Sequence, residues 1–178
     1  LVINHRVRLN NVLAVTFTNK AAREMKERVG HLLAENEQAC GTEPDQIEKR
    51  VQEYLKYLWI GTFHSVCVRI LRMEVEKVPG TRWNKNFVIY DEADAKTLLS
   101  NLQKEMGIDD RDFPVKLLKS VISSAKNEGK NPQTVLDEAR SPKQKTIAEV
   151  YYKYQLALQS NNAFDFDDLL LMTVCVFH

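Results

Sequence analysis

Residues Val12 to Leu33 constrain the fold of this chain more than any other stretch. A short apolar run, Val12 to Val15, stops at a cluster of small polar residues; from there Ala21, Ala22, Met25, Val29, Leu32 and Leu33 recur at helical spacing. The pattern is a strand, a polar turn and a helix. The turn, Thr16-Phe17-Thr18-Asn19-Lys20, offers hydroxyls, an amide, one cation and one aromatic ring at the carboxyl end of the strand. Open α/β sheets bind ligands in the crevice outside those strand ends. Helix N–H groups attract phosphate there, and an exposed ring can stack on a base. A turn that only joined strand to helix would not need a phenylalanine between two threonines.

Thr16 to Ala22 resembles the first single-strand-contacting motif of the UvrD/Rep/PcrA-type superfamily 1 DNA helicases. The likeness continues at Trp59 to Leu71, where Thr62-Phe63-His64-Ser65 followed by a helix is similar to the family's next motif. It runs on through Ser123 to Glu128 and ends at Phe164 to Leu170, so that the matches fall in the family's order and cover most of the chain. The departure is Gly30 to Leu58, an acidic, Gln- and Glu-rich spacer longer than the resemblance leads one to expect.

The resemblance implies an α/β, predominantly helical fold. A partial RecA-like (P-loop NTPase-type) parallel sheet would be interrupted by a helical inserted subdomain. The implied divisions are a partial motor domain at 1–87, the insert at 88–160 and a return to the motor domain at 161–178. It also implies an ATP-dependent helicase that moves 3′ to 5′ on single-stranded DNA and unwinds duplex. The whole enzyme would use ATP and Mg²⁺, with single-stranded DNA and a duplex junction as partners, and repair or replication proteins as further candidates. The chain lacks an initiator Met and reads as a fragment that opens in a helix end, Leu1 to His5. Its phosphate loop is expected before Leu1 and its Mg²⁺ carboxylates beyond His178. No cofactor is expected within the fragment, which should neither hydrolyse ATP nor unwind DNA alone.

Composition sets looser bounds. The 178 residues are 44% hydrophobic and 28% charged, an ordinary globular balance. No apolar run approaches the roughly 20 residues that span a bilayer, and no secretory signal is visible. Cys40, Cys67 and Cys175 lack paired spacing and read as reduced thiols of a cytoplasmic protein. A net charge of +1 hides an uneven distribution. Residues 1–30 hold six Lys/Arg against two Glu, net +4, and residues 31–58 hold three against six acids, net −3. The window 111–130 holds five against two, net +3. Phosphate binding needs such local cation density rather than a high total; solvated helix faces are the alternative.

The spacing predicts strands at 12–16 and 58–62, and helices at about 20–35, 44–57 and from Ser65 to about Val78, where Pro79-Gly80 breaks the pattern. An extended piece at Phe87 to Tyr90 precedes helices at about 92–106, ended by Gly107, and 114–127, with Pro114 near its first turn. Further helices are expected from about Pro142 to Gln159 and from Asp165 onward.

Two acidic segments invite a catalytic reading. Phe87 to Asp94 ends in Asp-Glu-Ala-Asp, as the metal site of a DEAD-box ATPase does, where Asp91 would hold Mg²⁺ and Glu92 would position water. No Gly-x-x-x-x-Gly-Lys-Ser/Thr accompanies it, since Gly129-Lys130 is followed by Asn131 and lacks the earlier glycine. Asp91 is therefore expected to cap the following helix. Asp165-Phe166-Asp167-Asp168 reads likewise as a helix start with acids at its positive end.

Phe17 is the leading candidate for base stacking, with a buried core ring as its alternative. Thr16, Thr18 and Asn19 are candidate phosphate donors, or simple helix caps. Lys20 is a candidate phosphate contact or a solvated helix start. Thr62, Phe63, His64 and Ser65 follow a second strand and would face the same crevice, with a packed histidine as the alternative for His64. Lys126 and Asn127 are weaker candidates for duplex backbone contact, or an exposed helix end. Metal binding is not expected, because His5, His31, His64 and His178 show no ligand spacing with the cysteines. Two other functions stay open: a helicase–nuclease subunit of the same superfamily, and a non-catalytic interaction module that uses the acidic helix 44–57 as its surface.

Overall fold

The computed structural model describes Val7 to Phe177; the expected helix end at Leu1 to His5, and His178, lie outside the described residues. Two compact units divide the chain between Val66 and Cys67. The fold is α/β and mostly helical, with short parallel strand pairs.

In the first unit, β1 (Leu13–Thr16) leads to α1 (Asn19–Ala39), α2 (Pro44–Tyr57) and β2 (Trp59–Thr62). β1 pairs with β2 in parallel, Leu13 opposite Trp59 and Thr16 opposite Thr62. A parallel pair needs a crossover between its strands, and α1 and α2 supply it. Thr18 starts α1 by accepting the Ala21 N–H at 3.1 Å. The spacer that departs from the family pattern becomes the second half of α1 and α2, the latter opened by Pro44 in its first turn. Leu33, Val51, Leu58 and Ile60 form the core.

α1 runs past the predicted end at 35 because Glu37 extends its inward face. One Glu37 oxygen accepts from Thr42 Oγ1 at 2.7 Å and Arg50 at 2.6 Å; the other accepts from the Tyr54 hydroxyl at 2.9 Å. These bonds, led by that from Thr42, hold the Glu37 carboxyl below its usual value.

In the second unit, whose boundary falls inside α3 (Phe63–Glu74), a 3-10 turn at Val75–Lys77 precedes β3 (Val88–Ile89) and α4 (Glu92–Glu105). Then come α5 (Val115–Asn127), α6 (Pro132–Glu138), α7 (Pro142–Ser160), β4 (Ala163–Phe164) and α8 (Phe166–Val176). Leu99, Leu118, Ile122, Val150 and Leu158 centre the helical core. A second core gathers Leu71, Trp83, Phe87, Phe164 and Leu169. Phe164 stacks on Trp83 at 4.6 Å and meets Phe87 edge-on at 4.8 Å. β3 pairs with β4 in parallel, Val88 opposite Ala163, and the Trp83 indole N–H donates to the Ala163 carbonyl at 2.8 Å.

Beyond the end of α1, both ends of α3 differ from expectation and α6 is an additional helix. α3 begins at Phe63 rather than Ser65, because Thr62 Oγ1 already accepts the Ser65 N–H at 3.3 Å. It gives way to the 3-10 turn before Val78. α6 was not anticipated; at seven residues it is too short for periodicity to reveal, although Asn131 caps it and Pro132 opens it.

Glu37 generates a pH prediction. Its depressed value means that its stabilisation is present above the ordinary 4.5 and is lost as pH falls through the folded value. Glu37→Ala should destabilise the chain by about 1–2 kcal/mol at pH 7. In denaturant titrations, variant and wild type should converge toward pH 3; a gap that persists undiminished would contradict the assignment.

Candidate nucleic-acid interface

Because β1 and β2 run in parallel and in register, the turns that follow them leave the same end of the pair. Phe17 is 92% exposed and Phe63 42%, and their ring centroids lie 5.4 Å apart at a 48° tilt. Burying a phenylalanine is worth about 1.5–3 kcal/mol, a stabilisation that Phe17 almost wholly forgoes. The alternative of a buried core ring is excluded for Phe17.

The polar neighbours hold this shape. Thr16 Oγ1 donates to the Thr18 carbonyl at 3.0 Å and sits 3.5 Å from the Gly61 carbonyl, across the two strands. Thr18 is committed to capping α1. Thr62 and Ser65 bond reciprocally: the Ser65 N–H donates to Thr62 Oγ1, and Ser65 Oγ donates to the Thr62 carbonyl at 2.8 Å. Asn19, Lys20 and Ser65 are exposed, while Thr62 and His64 are half-buried. Lys20 is 80% exposed along its side chain, and its ion pair with Glu24 is long, at 3.9 Å, and exposed, so its charge stays available to solvent. Neither α1 nor α3 carries an acid in its first turn, which leaves the positive ends of both helix dipoles uncompensated. Exposed Arg23, Lys26 and Arg28 continue along α1, interleaved with exposed Glu24 and Glu27, so that cations outnumber acids on its surface. Two rings, two helix amino ends and a row of cations can receive stacked bases joined by phosphates.

Gly61 is the residue that motif reading missed. A Cβ there would collide with Ser65 Oγ, so glycine lets Ser65 reach back to Thr62 and fix the start of α3. A glycine four residues before a serine at a strand end is visible in the sequence, but its meaning depends on the Ser65 rotamer.

Lys126 and Asn127 lie in the second unit, and Lys126 requires a correction. It is 2% exposed, with Nζ 2.7 Å from Asp165 and 2.8 Å from Asp168. A buried ammonium engaged by two carboxylates is not presented to a DNA phosphate. Asn127 is exposed at the end of α5.

Asp91 is a helix cap. Its Oδ1 accepts the Asp94 and Ala93 N–H groups at 2.9 and 2.7 Å, and Asp94 returns a bond to the Asp91 amide. Those amides, Asp94's first, hold the Asp91 carboxyl below the usual range. Asp165 caps α8 in the same way, accepting the Asp168 N–H at 2.8 Å. With Asp91 committed to a cap, and Asp165 and Asp168 to Lys126, the donor set does not fit a nucleotide-bound Mg²⁺. Among the described residues, no three His, Cys, Asp or Glu side chains form a metal cluster. No described helix is long and apolar enough to cross a membrane.

Gly61→Ala should force Ser65 out of its bond to Thr62, costing about 0.5–1.5 kcal/mol. Combining it with Ser65→Ala should cost less than the sum of the single changes in denaturant titrations. Strict additivity would show that the close approach carries no structural weight.

The family described as the UvrD/REP helicase N-terminal domain matches residues 1–178. The chain is 39% identical over 167 residues to the ATP-dependent DNA helicase PcrA of Staphylococcus epidermidis, and 40% identical over 167 residues to that of Staphylococcus aureus. Each alignment covers 94% of this chain and 20% of the relative, so the chain spans about a fifth of the length of the proteins it matches.

Proposed function

The chain belongs to the UvrD/REP helicase family through its N-terminal domain, and from that premise we propose that it forms part of the single-strand track of an ATP-dependent DNA helicase. The observation that carries the proposal is the exposed ring pair Phe17–Phe63 at the shared end of β1 and β2. Unpaired bases stack on these rings. Thr16, Asn19, Lys20, His64 and Ser65, together with the amino ends of α1 and α3, line the phosphate path, and Thr18 and Thr62 hold the two turns in shape. The parent enzyme moves 3′ to 5′ on single strands and opens duplex, driven by ATP and Mg²⁺. Those ligands bind to segments outside this chain, which contains no phosphate loop. The chain alone is therefore inactive as an ATPase.

The same reading divides the chain into a motor part at 1–87 and 161–178, with an inserted helical subdomain at 88–160. The pairing of Val88–Ile89 with Ala163–Phe164 supports it, because the chain leaves the sheet at one strand and returns beside it. Asn127 stays a candidate for duplex contact at the end of α5.

Fluorescence titration of labelled oligo(dT) tests the track. Stacking is worth about 1–3 kcal/mol per base, so Phe17→Ala should weaken binding by about 5- to 150-fold and leave the salt slope unchanged. Lys20→Ala should weaken binding modestly and reduce the slope of log K against log salt by about one contact. Unaltered affinity in Phe17→Ala would overturn the stacking role, and salt-independent binding would overturn the phosphate path.

A further inference from the structure

The second unit contains a buried charge cluster that single-strand binding does not use. Lys126 of α5 faces both Asp165 and Asp168 at the start of α8, and the side chains of Lys126 and Asp168 are wholly buried. From α7, the Tyr154 hydroxyl donates to Asp165 Oδ2 at 2.9 Å, and Gln155 Nε2 donates to Asp168 Oδ1 at 3.0 Å. Two carboxylates against one ammonium leave the cluster one negative charge in excess when both are ionised, an expensive state without water. Two buried acceptors, Asp168 Oδ2 and Gln155 Oε1, also lack a donor. They belong to the same two side chains that Asp168 Oδ1 and Gln155 Nε2 already join. A single proton on Asp168 Oδ2 removes the excess charge and turns one orphaned acceptor into a donor, for which Gln155 Oε1, on a side chain already bonded to Asp168, is the matching acceptor.

We propose that Asp168 is a proton-linked clamp: as the neutral acid it closes a two-bond pair with the Gln155 amide, and its ionisation opens that pair and weakens the junction of α5, α7 and α8. Lys126 and, more weakly, the bond from the Gln155 amide favour the ionised form, whereas burial and the neighbouring Asp165 oppose it. Tyr151 and Tyr154 stay neutral, their hydroxyls pushed well above the ordinary value by burial. Burial likewise raises the Asp168 carboxyl, to about 6, against the pull of Lys126. Burial opposes the charge on Asp165 too, but Lys126 and the bonds from Asp168 and Tyr154 prevail and keep it low.

The sign is specific. With the folded value raised, the unfolded chain releases this proton first as pH rises from about 4, so stability falls until the folded acid ionises as well. Asp165 and Glu37 act oppositely, and only at lower pH.

Denaturant unfolding of the whole chain between pH 4.5 and 8 tests the clamp, alongside Asp168→Asn. The asparagine amide keeps the shape and donates to Gln155 Oε1 as the acid would. The folding constant of the wild type should fall by up to about tenfold per pH unit toward pH 6 and then level off. Asp168→Asn should remove that slope and match or exceed the wild type at pH 7.5. A carbon-13 titration of the wild-type Asp168 carboxyl, which needs no variant, should show a midpoint raised well above 4. A midpoint below 4, or an Asp168→Asn variant that folds but is destabilised at every pH as strongly as Asp165→Asn, would overturn the clamp.

Discussion

Parallel pairing of Leu13–Thr16 with Trp59–Thr62, residue against residue, is the constraint on which the first unit's chemistry depends. A one-residue slip would turn every side chain of one strand to the opposite face, and the two turns would no longer emerge together. In this register, Thr16 and Thr62 are the last paired residues, and Phe17 and Phe63 are the first beyond the sheet. The core of α1, α2 and β2 maintains the register from behind, through Leu33, Val51, Leu58 and Ile60. Glu37, near the end of α1, ties it to the following loop and to α2 with bonds from Thr42, Arg50 and Tyr54. Apolar burial on one side therefore keeps two rings exposed on the other.

The second unit shows charge used in the opposite sense. Its acidic segments look chemical in isolation, yet each carboxylate that the described structure commits is occupied with folding. Asp91 starts one helix and Asp165 another, and Asp165 and Asp168 both face the buried Lys126 ammonium. A buried ion pair is weak evidence of stability, because desolvation opposes the Coulombic gain. Its firmer consequence here is geometric: it fixes where α5, α7 and α8 meet, since a misplaced partner would strand a charge in apolar surroundings.

How legible the chain was follows from the range of each interaction. The strand–turn–helix at Val12 to Leu33 and the exposure of Phe17 could be read locally, because an aromatic ring between threonines at a strand end has few packing partners nearby. The Asp91 cap was equally local, with Asp94 three residues on. Lys126 was misjudged because its partners lie 39 and 42 positions away, and a lysine beside Asn127 in a basic helix looks solvated until the fold closes over it. The spacer at 30–58 gave away its helices but not Glu37, whose neighbours look like unremarkable surface polars in sequence. Gly61 was visible but silent, since its meaning depends on the rotamer of Ser65.

In the proposed track, unpaired nucleotides are held at the ring pair that ends β1 and β2. Fluorine NMR of the chain carrying 4-fluorophenylalanine at position 17 tests it most directly. Saturating oligo(dT) should move the resonance through ring-current shielding by a stacked base, and a blunt duplex of equal length should leave it in place. A resonance unmoved by single-stranded DNA under conditions where the oligonucleotide is demonstrably bound would contradict the account.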